Sequence, residues 1–161
     1  MQAKATTLSF VPRELVETVA NAYDHARDLL NLMPISLVQL ASRIAVAEVF
    51  WRSSQSKLAS WTSTIQLFAN EYKVPIISPA TAAYLGTATE LIGSLLLFAG
   101  LLSRAAALAL TGLVTVIQLT VYPENWPDHI LWLSLLLLII VRGPGVISLD
   151  HLLGRLFDRS R

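Results

Sequence analysis

Apolar residues along this chain gather into long blocks separated by short polar breaks, too continuous for the alternation expected of half-buried strands. Between Val74 and Ser103 the only carboxyl or basic side chain is Glu90, and residues 81–102 suffice to cross a hydrocarbon core of about 30 Å as a helix. Residues 105–123 carry no charge and stop at Pro123, which does not easily continue a helix. Residues 126–141 form a shorter block, in which Trp126 and Trp132 suit the interface belt and Asp128 can lie at headgroup level. Residues 34–51 give the faintest signal because they include Arg43 and Glu48. They are read as a crossing because four spans place both termini on one side of the membrane, whereas three would separate them.

Two further stretches have helical rather than continuous apolar spacing. In residues 12–32, Leu15, Val19, Ala22, Ala26 and Leu29 or Leu30 share one face while Arg13, Glu14, Glu17, Asp24, Arg27 and Asp28 fall largely elsewhere, as in a helix lying on a membrane surface. In residues 58–72, Trp61, Ile65, Phe68 and Tyr72 recur at three- or four-residue steps, which predicts a lid across the opposite end of the bundle. The expected fold class is therefore all-α, an integral membrane four-helix bundle with amphipathic interfacial helices. The expected organisation is a cytoplasmic amphipathic segment at 1–33, the four-helix domain at 34–153 and a basic cytoplasmic tail at 154–161. No internal repeat, flexible linker or cleaved signal peptide is expected.

Composition agrees with the lipid setting: of 161 residues, 54% are apolar and only 14% charged, against roughly a quarter charged in soluble domains. A net charge of +1 argues against a nucleic-acid partner. With no cysteine, thiolate metal sites, disulfides and thiol redox pairs are excluded for this polypeptide. On the four-span topology one side carries Lys4, Arg13, Arg27, Arg104, Arg142, Arg155, Arg159 and Arg161, and the other Arg52, Lys57 and Lys73. That bias puts both termini in the cytoplasm.

The candidate chemistry lies in the charges that the spans retain. Arg43, Glu48 and Arg52 fall on the first helix and Lys57 just beyond it, while Glu90 sits near the middle of the second span. Glu48 and Arg52 are spaced to pair directly, and Arg43, about 140° round the helix from Glu48, needs another partner. Glu90 is either a proton-handling group or one side of a structural pair with Arg43 or Arg52. His129, near Tyr122, Trp126 and Trp132 at the mouth of the last span, could serve a quinone head group or a metal, though Tyr and Trp are also ordinary membrane anchors. His25, His129 and His151 are the only histidines, so a bis-histidine haem is not expected, nor any metal site. Gly143-Pro144-Gly145 ends the last span, Ser148 caps a short tail helix, and Asp150 suits that helix's first turn. Gly86 and Gly93, seven residues apart, share a face that allows close helix packing.

Over residues 37–153 the chain resembles the DoxX family of small four-helix membrane proteins. The likeness is carried by Arg43 through Phe50 to Lys57-Leu58, by Ala82-Ala83 leading to Glu90-Leu91 and on to Gly100-Leu101-Leu102-Ser103-Arg104, and by Gly143-Pro144-Gly145 with Ser148-Leu149-Asp150. Arg43, Lys57, Glu90 and Arg104 match the family's pattern residue by residue. Ser54 and Ala47 stand where glycines are common, and Glu48 where an apolar residue is usual. The resemblance implies a membrane subunit rather than a freestanding enzyme, linked to electron transfer into quinone or to complexes handling oxidative stress. The segment from Phe50 to Lys57, with Val121-Tyr122-Pro123 and Trp126-Pro127, resembles a proteobacterial branch accompanying copper-binding, ribosomally produced peptides.

Two functional readings follow. In the first, the chain is a non-autonomous subunit of a quinone-linked redox complex in the bacterial plasma (inner) membrane. Glu90, Arg43 and Lys57 then form its catalytic set, His129, Trp126, Tyr122 and Arg52 contact quinone, and a soluble or membrane redox partner supplies electrons. In the second, it is a scaffold or maturation factor that holds a partner, such as a copper-peptide system, at the membrane. Metal transport is a third reading, but two methionines, no cysteine and one well-placed histidine make a poor soft-metal path.

Overall fold

The computed structural model describes residues 12–158, and among them there are helices and turns but no strands. Lys4, Arg159 and Arg161, used above in counting charge, lie outside the described residues. The chain forms two units, one holding α1 and the other everything from Ile35 onward.

Helix α1, Arg13–Asn31, has the amphipathic spacing expected of it, and none of its residues is buried. In the second unit α2, Ile35–Ala59, is followed by a short α3, Trp61–Leu67, which continues as a π-helical turn over Phe68–Tyr72. Then come α4, Pro79–Ala99, and α5, Ser103–Val116, the latter also ending in a π-helical turn, Ile117–Val121. A 3₁₀ turn at Pro123–Asn125 leads into α6, Trp126–Arg142, and α7, Leu149–Asp158, closes the chain across the boundary expected at residue 153.

Local chemistry sets these ends. Ser78 caps α4 by accepting from the Thr81 amide, with Pro79 at the first helical position, where its missing N–H costs nothing. Gly100 ends α4 in the left-handed region, which its missing Cβ allows. The first span runs on to Ala59 rather than stopping near Trp51, because Ser53-Ser54-Gln55-Ser56 contains no glycine or proline to break it. Lys57 is thus on the helix, not beyond it. Thr64 of α3 donates to the Lys57 carbonyl and satisfies one of the free acceptors at the α2 C-terminus.

Helices α2, α4, α5 and α6 close into a ring, α2 against α4 and α6, and α5 against the same two. Val46, Phe50, Leu97, Leu110, Val114, Leu136 and Ile139 fill its centre. Outside, Leu85, Ile92, Leu108, Leu131, Leu137 and Val141 are exposed, an arrangement suited to lipid rather than water. Pro79–Ala99, Ser103–Val121 and Pro123–Arg142 are each long and apolar enough to cross a bilayer. The 25-residue α2 has ample length, but the side it buries includes Ser36, Gln39, Ser42, Arg43, Ser54 and Lys57, which is why its hydropathy was faint. The chain is a multi-pass, all-α membrane protein.

One end of the ring is fastened by polar groups. Gln39 Nε2 donates to the carbonyls of Arg142 and Gly143, each at 3.0 Å, and Arg43 Nη1 donates to those of Pro144 (3.0 Å) and Ile147 (2.9 Å). Asp150 sits in the first turn of α7 as expected, and its carboxylate also caps α5, accepting from the amides of Leu102 (2.7 Å) and Ser103 (2.9 Å). Those contacts hold Leu102 at a left-handed φ of 46°, a conformation a leucine avoids when free. Ser148 does cap α7, accepting from the His151 amide.

Candidate functional site

At the other end of the ring Lys57 of α2 meets Glu90 of α4. Its ammonium lies 2.8 Å from both carboxylate oxygens and also donates to Ser53 Oγ at 2.7 Å, so all three of its donors are used. Ser53 Oγ in turn donates to Glu90 Oε1 at 3.2 Å. Both charged side chains are more than nine-tenths buried. Sequence reasoning paired Glu90 with Arg43 or Arg52, and the structure corrects this to Lys57 for a geometric reason. Arg43 is fourteen residues earlier on α2, about 21 Å along its axis, and Arg52 is turned about 140° from Lys57. Ser53 is one turn from Lys57 and on its face. Arg52 instead makes the expected exposed pair with Glu48, at 2.6 Å.

The pair faces a cavity of about 450 Å³ between α2, α4, α5 and α6, within the usual range of small-molecule sites. Phe50, Leu85, Leu113, Val116, Ile117 and Trp132 supply much of its wall, and Phe68 and Tyr72 of the first π-helical turn lie over it. Of the residues singled out from sequence, Lys57, Glu90, Tyr122 and His129 line this cavity. Arg43, Arg52 and Trp126 do not: Arg43 is held at the far end by loop carbonyls, Arg52 is exposed beside Glu48, and Trp126 is half exposed.

His129 is buried, its ring 5.2 Å from that of Trp132. Its Nδ1 lies 2.5 Å from Gln118 Oε1, while the Gln118 amide nitrogen donates to the Pro123 carbonyl. With the amide so oriented, its oxygen must accept, so Nδ1 is the donor, and in the neutral ring Nε2 is then the acceptor. Gln118 sits in the second π-helical turn, where the wider coil departs from the α-helical ladder, a common feature of functional sites.

At the rim, the Tyr122 hydroxyl donates to Glu71, and Tyr72 packs edge-on against Tyr122 with ring centres 5.5 Å apart. Both phenols hold their protons more tightly than a free tyrosine. For Tyr122 the main cause is the hydrogen bond to Glu71, and for Tyr72 it is burial. Ser53, Glu71, Tyr72 and Gln118 were missed as site residues. The available signals were Ser53 one helical turn before Lys57 and a lone amide, Gln118, inside an otherwise apolar span.

A family model described as DoxX matches residues 38–123, a stretch that contains Lys57, Glu90 and Tyr122 and stops short of His129. No curated protein and no solved structure matches the chain.

Proposed function

The chain belongs to the DoxX family, and on that premise we propose that it is a non-autonomous membrane subunit of a quinone-linked redox complex, with the Lys57–Glu90 cavity as its quinone site. The observation that carries this reading is a largely apolar cavity holding a buried ion pair and an oriented histidine at its polar end. The residues present fit such a head group, since they offer both kinds of partner it needs. The Lys57 ammonium can turn to a carbonyl by giving up one of its three bonds to Ser53 and Glu90, and the Glu90 carboxylate and, in its neutral form, His129 Nε2 are acceptors suited to a hydroxyl. A bound quinone supplies two-electron chemistry coupled to two protons.

The chain's own part is to present a paired ammonium and carboxylate to the head group. Ser53 keeps the two side chains aligned because its hydroxyl touches each. Electrons come from a redox partner, as the sequence offers neither thiolates nor a haem ligand set. The same reading sets the protein in a bacterial plasma membrane with both termini cytoplasmic.

The test is purification of the wild type and Glu90→Gln in mild detergent, with quinone and co-purifying proteins measured by mass spectrometry. Stoichiometric quinone in the wild type, lost in the variant, is expected. A wild type without quinone overturns the reading. A second reading, a scaffold or maturation factor for a partner such as a copper-peptide system, is favoured by α1, whose Leu15, Val19, Leu29 and Leu30 are all exposed. It predicts a partner retained by both proteins and no quinone in either.

A further inference from the structure

We infer that the cavity extends into a lateral crevice between α4 and α5 that receives a hydrocarbon tail, so that the ligand is a tailed quinone reaching the site from the bilayer. The inference rests on the quinone reading and specifies which quinones the site takes and by what route.

Helices α4 and α5 are not equally close along their length. At Gly93 they are in tight contact, because a Cβ there would lie 2.9 Å from Leu110 Cγ. Nearer the Lys57 end neither glycine is in such contact: the space at Gly86 faces Phe68 rather than α5, and a Cβ on Gly112 of α5 would meet nothing within 4 Å. Gly112, Leu85 and Val116 all line the cavity, yet Gly112 is exposed, Leu85 is 58% exposed and Val116 42%. Side chains that belong both to an inner cavity and to the outer surface mark where the cavity runs out. The surface they mark belongs to two spans, α4 and α5, and α5 beyond Arg104 carries no charge, so the opening faces hydrocarbon.

Aromatic side chains line another part of the cavity. Phe68 and Tyr72 lie over the cavity, and Tyr72 is braced by Tyr122, itself hydrogen-bonded to Glu71. A polar end under that cover and an apolar side open to lipid match an amphiphile whose ring sits by Lys57 and Glu90 and whose tail leaves between the helices.

Gly112→Leu plugs the crevice without touching the polar residues, and the empty space there lets the side chain fit. Leu85→Trp does the same from the facing wall if the first variant fails to fold. The full chain in lipid nanodiscs is tested for equilibrium binding of a decyl-tailed benzoquinone and of the same ring bearing a methyl in place of the tail. The wild type should bind the tailed ring at least tenfold more tightly. The plugged variant should lose that advantage, binding the tailed ring no more tightly than the methyl ring. Equal binding of both rings by the wild type, or an advantage untouched by the plug, overturns the crevice alone. A wild type that binds neither ring overturns the quinone reading as well.

Discussion

Removing one member of the buried pair should be far worse than removing both. Lys57→Met leaves the Glu90 carboxylate without its ammonium, and Ser53 alone cannot satisfy it. Breaking a buried pair in this way costs about 3–5 kcal/mol, and Glu90→Leu should cost a similar amount by stranding Lys57. The double variant removes both desolvation penalties and fills similar volume with apolar atoms, so it should lie within about 1–2 kcal/mol of the wild type. The coupling in the double-mutant cycle is then several kcal/mol. Reversible unfolding in mixed detergent, followed by far-UV circular dichroism, measures all four proteins. Additive losses, or single variants costing under about 1 kcal/mol, would refute the view that the two charges compensate each other in a dry site. The double variant also separates stability from the proposed quinone binding, because it should fold while lacking the charged pair on which that proposal rests.

Three further outcomes are expected. Gly93→Ala should destabilise by about 1–2 kcal/mol despite the better helix propensity of alanine, since its Cβ would press on a fully buried Leu110; the same unfolding assay with Leu110→Ala added should recover part of the loss. Asp150→Ala should cost about 1–2 kcal/mol by freeing the Leu102 and Ser103 amides, and hydrogen exchange should rise at the start of α5 while Lys57 and Glu90 stay protected. Tyr72 and Tyr122 keep their protons more firmly in the folded chain than in the unfolded one, so their contribution is complete below about pH 10 and fades as pH climbs through the raised values. Absorbance at 295 nm should show part of the tyrosine signal titrating late, and Glu71→Gln should move that part to lower pH; an unchanged curve would contradict the Tyr122–Glu71 bond.

Where a feature depended on the content of one segment, the sequence was readable. The uncharged run from 105 to 123 and the lone carboxyl at Glu90 mark their spans whatever the neighbours do. The Glu48–Arg52 pair was equally open to view because both residues lie on one helix, a turn apart. Features that depend on register between helices were not readable. Nothing within α4 says that Glu90 lies level with Lys57 rather than Arg43; that follows from how far α2 extends and how it docks. Asp150 shows the same limit. Its position suits the start of α7, yet it binds amides 47 and 48 residues away, since the two helix starts meet in space.

The polar groups buried along α2 divide by what answers them. At the end near the α6–α7 loop, Gln39 and Arg43 donate to backbone carbonyls, acceptors that neither titrate nor leave, and an arginine does not give up its proton in proteins. That end can hold a loop in place but has nothing to exchange. At the other end Lys57 faces a carboxylate and a hydroxyl, both side-chain groups, beside a cavity. Both ends carry a buried cation, so burial and charge alone do not tell them apart. The partner's chemistry does: the end beside the cavity answers its cation with side chains, whereas Arg43, equally conspicuous in the sequence, is answered by backbone carbonyls of the α6–α7 loop.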